Sequence, residues 1–378
     1  MRLHASIHGL TPTPPARRGG FSIIELMVAM TIGLLLVAGL FYVYLGASQS
    51  SRFQGVLAAM QGNARFAVEI MGVDLRMVGF TGSQAANPSN IVKVQPTDNL
   101  CPMIDVFGNG GSNGGCTAGG NPVAGPLVGY ENTNPPNVCT TANTTPCYRA
   151  GTDSLTVVRV DTGNKYALNP DPSLSYPTAP TTFTLSAWPA TDAPQAGEIF
   201  VAADYIHAAA FQVGAAGNPT VSFGAGGTPG NSGSLGVFGP SINALGLYRL
   251  SGVSYYIGRN PVGEPALYRD KLGHTGATLS TAAEELVQGV EDMEITYGVD
   301  TTDPLNNVEG YWTAAQVTAG TDGAATMPVG TPKDYWKRVL SVRIALTLVS
   351  GQNEKVGTTG DQLLRKTFTN TIAIRNRL

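Results

Sequence analysis

The chain has 378 residues and a formal net charge of -3, with 43% hydrophobic and only 13% charged residues. This length is enough for one large or two ordinary domains, and the 47 glycines and 25 prolines favour a turn-rich, β-rich protein over a helical enzyme. The acidic balance argues against a nucleic-acid binder, because such proteins neutralise phosphates with clustered Lys and Arg.

An apolar run near the N-terminus is the first predicted element. From Phe21 to Ala47 the only charged residue is Glu25. The uncharged part, residues 26–47, would span about 33 Å as a helix, which is enough for the hydrocarbon core of a bilayer. We therefore expect a helix that enters or crosses a membrane.

The flanking charges predict how this helix is oriented. Arg17 and Arg18 precede the run, so the positive-inside rule keeps the N-terminal arm in the cytoplasm and sends the rest of the chain outward. A secretory signal peptide with a weak cleavage site at 46–48 is the competing interpretation. Its apolar region would be only about 7–15 residues long and would carry no carboxylate near its start, so the run fits it poorly.

Glu25 is the unusual residue of the apolar run. A carboxylate in an apolar span costs about 2.5–3.5 kcal/mol unless a cation pairs with it. Ser22 and Glu25 also match a capping box, in which a carboxylate in the first helical turn is stabilised by the helix dipole. Capping explains why Glu25 is tolerated, but not why two arginines, two glycines and a phenylalanine precede it.

The segment Arg17–Leu26, RRGGFSIIEL, resembles the leader-peptidase site of type IV prepilins and type II secretion pseudopilins. The resemblance implies that residues 1–20 are a leader, that a prepilin peptidase cleaves between Gly20 and Phe21, and that the new Phe21 amine is N-methylated. It also implies that the helix is buried in a filament core, where Glu25 pairs with the N-terminal amine of a neighbouring subunit. A pair between Glu25 and its own Phe21 amine stays open. Either pair avoids the cost of an isolated buried charge.

The helix is expected to continue beyond the membrane. Apolar residues recur at three- and four-residue steps through residues 51–78 and predict an amphipathic second half. One helix from about Phe21 to Val78 follows, and the transmembrane and pilin helix is assigned to residues 21–80. The apolar positions are Phe53, Leu57, Met60, Ala64, Ala67, Met71 and Val78.

Residues 81–150 are rich in Gly, Asn and Thr and are interpreted as a variable surface loop region. They contain every cysteine of the chain. An even number of cysteines in an exported region favours two disulfides, with three connectivities open. No Cys-x2-Cys pair exists and no His lies nearby, so we expect no zinc site. The four cysteines are Cys101, Cys116, Cys139 and Cys147.

Residues 151–378 are predicted to form a β-rich domain, so the fold class is α+β with a mainly antiparallel sheet. The clearest strand is 338–349, where Leu340, Val342, Ile344, Leu346 and Leu348 alternate with polar residues. Residues 255–269 place a Pro/Gly turn between two strands and predict a hairpin, whereas 214–239 is predicted to be a loop. The strand segments are 153–160, 182–188, 198–202, 247–257, 266–269, 293–297, 339–349 and 367–374.

Four C-terminal blocks resemble the PilW group of minor pilins. The blocks are YYIGRNPVGEPALYRD, LVQGVEDMEITYGVDTTD, YWKRVLSVRIALTLVS and KTFTNTIAIRNR, which begin at Tyr255, Leu286, Tyr335 and Lys366. They are also similar, in part, to J-type minor pseudopilins of type II secretion. Those proteins are typically much shorter, so the length and the blocks favour the pilus system.

We expect no enzyme, no cofactor and no metal. No GxSxG, HExxH, Walker A or GxGxxG motif is present, and His207 and His274 are the only histidines after the leader. The segment around Asp300, Asp303, Asn306 and Asn307 fails the calcium-loop pattern and is interpreted as a solvated turn.

Two clusters of basic residues occur in strand-like segments. They are interpreted as solvated strand faces rather than a nucleic-acid patch. One cluster contains Lys333, Lys337, Arg338 and Arg343; the other contains Arg365, Lys366, Arg375 and Arg377.

The sequence thus predicts a minor pilin that acts in assembly of a type IV pilus, in motility and in adhesion. The resemblance implies a precursor in the inner membrane with its C-terminal domain in the periplasm, and later a place in the pilus. Expected partners are the prepilin peptidase, other minor pilins, the major pilin, the inner-membrane assembly platform and membrane lipid. A J-type pseudopilin and a pilus-tip adhesin that binds through 81–150 or 214–239 remain the alternatives.

Overall fold

The structure is a computed structural model. It describes residues 20–82, 87–90, 92, 100–104, 107, 117–118, 121–122, 125–135, 138, 149–169, 181–204, 207–224, 227–232, 235, 245–302, 307–328, 330, 332–351 and 363–375. The chain divides into two compact units, Met1–Gly55 and Val56–Leu378.

Helix α1 extends over Ile23–Arg76, within two residues of the predicted ends at both termini. It begins after Ser22, whose hydroxyl accepts a hydrogen bond from the Ile24 amide at 3.3 Å and so caps one of the free N–H groups of the first turn. After Arg76 the chain turns sharply, because Gly79 adopts a φ of 70° that a residue with a Cβ rarely tolerates. The Gly79 amide then bonds to the Val158 carbonyl at 3.1 Å, which joins the chain to the β-sheet.

The remaining described elements are two short helices, a 3-10 turn at Cys101–Met103 and a set of β-strands. Helix α2 is Ala314–Ala319 and helix α3 is Pro332–Trp336. The strands are β1 Asn87–Asn90, β2 Thr117–Ala118, β3 Asn121–Pro122, β4 Leu127–Tyr130, β5 Ser154–Ala167, β6 Thr182–Thr184, β7 Ile199–Ala203, β8 His207–Gly217, β9 Thr220–Phe223, β10 Gly246–Arg259, β11 Pro265–Thr275, β12 Thr278–Gln288, β13 Val290–Val299, β14 Gly310–Trp312, β15 Val339–Val349 and β16 Arg365–Ala373.

The larger sheet is organised around the long strand β10. Its second half pairs antiparallel with β11, which continues to β12, so the predicted hairpin is confirmed. Residues 246–249 pair with β7, and β5 pairs along most of β10. From β7 the sheet continues through β8 and β9 to β6, while β4 pairs with β5. Among the strand pairs of the described residues, only β1 and β8 run parallel. The fold is therefore α+β and mainly antiparallel, as predicted.

A second sheet has the order β14-β13-β15-β16. Strand β15 shows the predicted alternation: Val342, Ile344 and Leu346 are fully buried, whereas Arg343 is exposed. The second half of α1 packs its apolar face against this sheet in one hydrophobic cluster. Each large apolar side chain buried in this way contributes about 1.5–3 kcal/mol. The residues of this face are Val56, Met60, Ala64, Ala67, Met71 and Leu75.

Three predictions from the sequence require correction here. Phe53 was expected on the buried face of α1, but it is 40% exposed and Val56 is buried instead. The loop predicted at 214–239 contains the end of β8 and all of β9. The loop region at 81–150 contains β4, whose four residues are all buried. Strand β4 is buried throughout, whereas only Val221 is buried in β9. Glycines are frequent around both strands and interrupt the alternating pattern that would predict them.

Candidate processing and assembly site at the N-terminus

The predicted cleavage site lies immediately before α1. Gly20, Phe21 and Ser22 are outside any regular element and all are exposed, with Phe21 86% accessible. The backbone at the predicted cleavage site is therefore accessible ahead of the capped helix. Arg17 and Arg18 lie outside the described residues.

Glu25 is the third residue of α1 and is exposed. Apolar side chains surround it along the helix, including Ile24 at 72% and Leu26 at 57% accessibility. The sequence contains no Lys, Arg or His between Gly19 and Ser51, and Arg52 would be about 40 Å away along a helix with a 1.5 Å rise. If the chain is cleaved before Phe21 as the sequence predicts, the nearest cation on the helix to Glu25 is the new N-terminal amine.

The first half of α1 presents a continuous apolar surface. Its most hydrophobic 18-residue window has a mean hydropathy of 2.4 and no buried residue. By length and composition, α1 can cross a membrane. A soluble monomer rarely exposes so large an apolar surface, and surfaces of this kind mark contact with lipid or protein.

The second half of α1 carries a buried charge that the sequence analysis missed. The Asp74 carboxylate accepts hydrogen bonds from Nε and Nη2 of Arg159, at 2.9 and 2.7 Å. Its other oxygen accepts the Tyr255 hydroxyl at 2.6 Å. Burial and the charge of Asp74 raise the pKa of Tyr255, so the phenol remains protonated and donates. One contact thus ties α1 to β5 and β10. The sequence does offer a signal for this contact, because Asp74 is an acidic residue on the same helical face as the apolar residues Ala67, Met71 and Val78.

Two family models match the chain. Residues 15–41 match the prokaryotic N-terminal methylation motif, which includes the predicted cleavage site and Glu25. Residues 254–376 match type IV pilus-assembly protein W, which extends from β10 to the residues after β16 and contains nearly all of the four C-terminal blocks. The chain therefore carries a prepilin-type methylation motif near its N-terminus and a PilW-type region over residues 254–376. No curated protein and no solved structure matches it significantly.

The residues that match the PilW model, 254–376, form two parts of the β-structure. They include the second half of β10, the meander of β11 and β12, and the whole β14-β13-β15-β16 sheet. Trp336, the last residue of α3, packs edge-to-face on Tyr297 of β13 with ring centroids 4.8 Å apart. A Cβ on Gly129 would lie 2.0 Å from the Tyr297 hydroxyl, so β4 can approach these rings only with glycine at that position.

One of the four predicted disulfide cysteines lies within the described residues. Cys101 is 2% exposed in the 3-10 turn, and its sulfur is disulfide-bonded. Cys116, Cys139 and Cys147 lie outside the described residues, so the pairing stays a prediction.

The histidines and the Asp300 turn occupy separate places in the fold. His207 Nδ1 lies 3.3 Å from Asp204 Oδ2, and His274 Nε2 lies 3.6 Å from Glu198 Oε1. The Asp300 carboxylate accepts the amides of Thr302 and Asn307, while Asp303 and Asn306 lie outside the described residues. Within the described ranges, no group of three or more His, Cys, Asp or Glu could hold a metal.

Three cations of the two basic clusters are engaged within the described part of the protein. Arg338 donates to the Thr302 carbonyl at 2.6 Å, and the Arg343 guanidinium stacks 3.5 Å from the Tyr311 ring centroid. Arg365 and Arg149 both pair with Glu291, at 2.6 and 3.4 Å. Burial opposes ionisation of Glu291, but the hydrogen bonds and charges of the two arginines outweigh it and hold the pKa of Glu291 below its ordinary value.

Proposed function

We propose that the protein is a minor pilin that is processed at Gly20/Phe21 and built into the initiating or tip complex of a type IV pilus. The match of residues 15–41 to the N-terminal methylation motif carries this proposal. The match of residues 254–376 to pilus-assembly protein W favours the pilus over a type II secretion system.

Processing begins with hydrolysis of the Gly20–Phe21 peptide bond by a prepilin peptidase. Gly20 offers no side chain to obstruct the scissile carbonyl, and the exposed backbone ahead of the Ser22 cap leaves the bond accessible. Removal of residues 1–20 also removes Arg17 and Arg18, which orient the precursor with its C-terminal domain in the periplasm. The new Phe21 amine is then N-methylated and keeps its positive charge.

Glu25 is the assembly contact of the mature protein. An unpaired carboxylate at membrane depth costs about 2.5–3.5 kcal/mol on insertion scales, and no cationic side chain of α1 lies near it. The charged Phe21 amine of a neighbouring subunit removes that cost when the two helices pack side by side. The same pairing fixes the axial register of the helices, because a shift by one turn separates the charges by about 5.4 Å.

Processing and assembly in this order imply which proteins contact the chain. The prepilin peptidase and the inner-membrane assembly platform handle the precursor, whose α1 is embedded in lipid. Other minor pilins and the major pilin contact the mature protein through the apolar first half of α1. The disulfide at Cys101 supports an oxidising compartment such as the periplasm for the globular unit.

A charge variant tests the assembly role. Glu25→Ala keeps the cleavage site, so processed protein should accumulate in the membrane while the amount recovered in sheared pili falls by about tenfold, the loss expected for about 1.4 kcal/mol of pairing energy. Glu294→Ala removes an exposed carboxylate of β13 and serves as the matched control. If Glu25→Ala were incorporated as well as the control, Glu25 would not be an assembly contact.

A further inference from the structure

Within the described residues, the four-stranded sheet has an open edge at β16. This strand is the terminal one in the order β14-β13-β15-β16, and it pairs with β15 through nine consecutive residue pairs without a register shift. A terminal strand presents a row of unpaired backbone N–H and C=O groups on its outer side. An extended segment of another chain can add to such a row.

The other terminal strands of the described sheets lack these properties. Strands β14 and β6 have three residues each, β1 and β4 have four each, and β2 and β3 have two each. Strand β12 is long, but its ladder with β11 has a register shift, and it carries the adjacent acids Glu284 and Glu285. Short length, irregular pairing and charge are the features that protect natural edges from strand addition. Strand β16 contains no Pro, and its charged residues, Arg365 and Lys366, lie at its start, so that its central residues 367–371, TFTNT, are uncharged.

A groove of about 610 Å³ runs beside this edge, between β16 and the second half of α1. Apolar lining comes from Ala64, Val68 and Phe368. Side chains of an added strand would alternate between this groove and the opposite face of the sheet, where Thr367, Thr369 and Thr371 are exposed.

The groove is basic although the protein as a whole is acidic. Arg65 and Arg76 line it together with a single carboxylate, Glu69, and Lys366 lies on the same face of β16 as Phe368. Among the described residues, Arg65, Arg76 and Lys366 have no ion-pair partner. After residue 20, the chain has 20 basic and 26 acidic residues. An incoming strand is therefore complementary when it carries acidic side chains at the positions that face the groove.

We propose that β16 and the adjacent groove bind an extended, acidic segment of a partner protein by β-strand addition. A second copy of this chain does not fit the site. Two β16 strands laid edge to edge would bring both sets of Arg65, Arg76 and Lys366 together, and like charges in contact are destabilising. The proposal does not depend on processing at Gly20 or on Glu25.

A pair of designed peptides tests the charge requirement. The probe is a fluorescein-labelled, capped peptide in which aspartate alternates with valine and threonine, and the matched control has lysine in place of aspartate. Fluorescence anisotropy with the full mature chain in detergent should show that the acidic peptide binds at least about tenfold more tightly. Equal affinity for both peptides, or tighter binding of the basic one, would overturn the proposal. So would dimerisation of the chain through β16, measured by light scattering.

Two further measurements locate the site. Arg65→Glu combined with Arg76→Glu changes two exposed side chains and should weaken binding of the acidic peptide by at least about tenfold, whereas Lys337→Glu, outside the groove, should leave it unchanged. In the wild-type protein, hydrogen exchange should show new protection of the amides of 365–373 when the peptide binds. Binding without protection of this strand would refute strand addition even if the charge variant failed to fold.

Discussion

The buried contact of Asp74 allows a quantitative prediction for Asp74→Ala. The change removes the acceptor of three hydrogen bonds and leaves the Arg159 guanidinium, which has a side chain only 16% exposed, without its counter-charge. Removing one partner of a buried ion pair costs about 3–5 kcal/mol, because the remaining charge stays desolvated. Tyr255→Phe removes one hydrogen bond to a charged group and should cost about 1.5–3 kcal/mol.

Urea denaturation of the mature protein measures these free energies of unfolding. Trp312 and Trp336 are both buried in the cluster that contains the apolar face of α1, so their fluorescence reports on the relevant core. The double variant Asp74→Ala/Arg159→Ala should lose less unfolding free energy than the two single variants lose together, because it no longer contains an unpaired buried charge. Glu294→Ala, at an exposed carboxylate, should change the free energy by no more than about 0.5 kcal/mol. If Asp74→Ala matched this control, the contact would not hold α1 to the sheet.

Two other predictions concern the globular unit. Gly129→Ala should destabilise it by about 1–3 kcal/mol in the same assay, because the new Cβ would overlap Tyr297 and Trp336; Gly217→Ala, which meets no atom within 4 Å, should be nearly neutral. Folding lowers the pKa of Glu291 below its ordinary value of 4.5. The ionised Glu291 therefore stabilises the folded protein fully when the pH is above 4.5, and this stabilisation is lost as the pH falls through the lower pKa of the folded state. Glu291→Gln should therefore cost about 1 kcal/mol near neutral pH and nothing in strong acid. A cost that did not change with pH would contradict the ion-pair account.

The sequence predicted those elements whose signal is local. Strand β15 was found because its apolar residues alternate with polar ones, and α1 because its apolar residues recur at helical spacing. Strand β8 was not found as a strand, since HAAAFQVGAAG is rich in small residues and is buried on both faces over most of its length. Strand β12, TLSTAAEELVQ, contains strong helix formers that only its pairing with β11 holds in a strand.

The same distinction applies to the sites. Gly20, Phe21 and Glu25 form a linear motif, so they could be recognised without a structure. Asp74, Arg159 and Tyr255 are separated by 85 and 181 positions, and only the fold brings them together. The groove beside β16 likewise requires residues from both ends of the chain. These features depend on which distant segments pack together in the fold, and the spacing of residues within one segment does not reveal that.

Mass spectrometry of the N-terminus of the mature protein, purified from membranes and from sheared pili, tests the central claim most directly. The account predicts a chain that begins with N-methylated Phe21 in both fractions. A chain that begins near Gln49, or that keeps residues 1–20 in the pilus fraction, would contradict processing at Gly20/Phe21 and with it the proposed assembly role of Glu25.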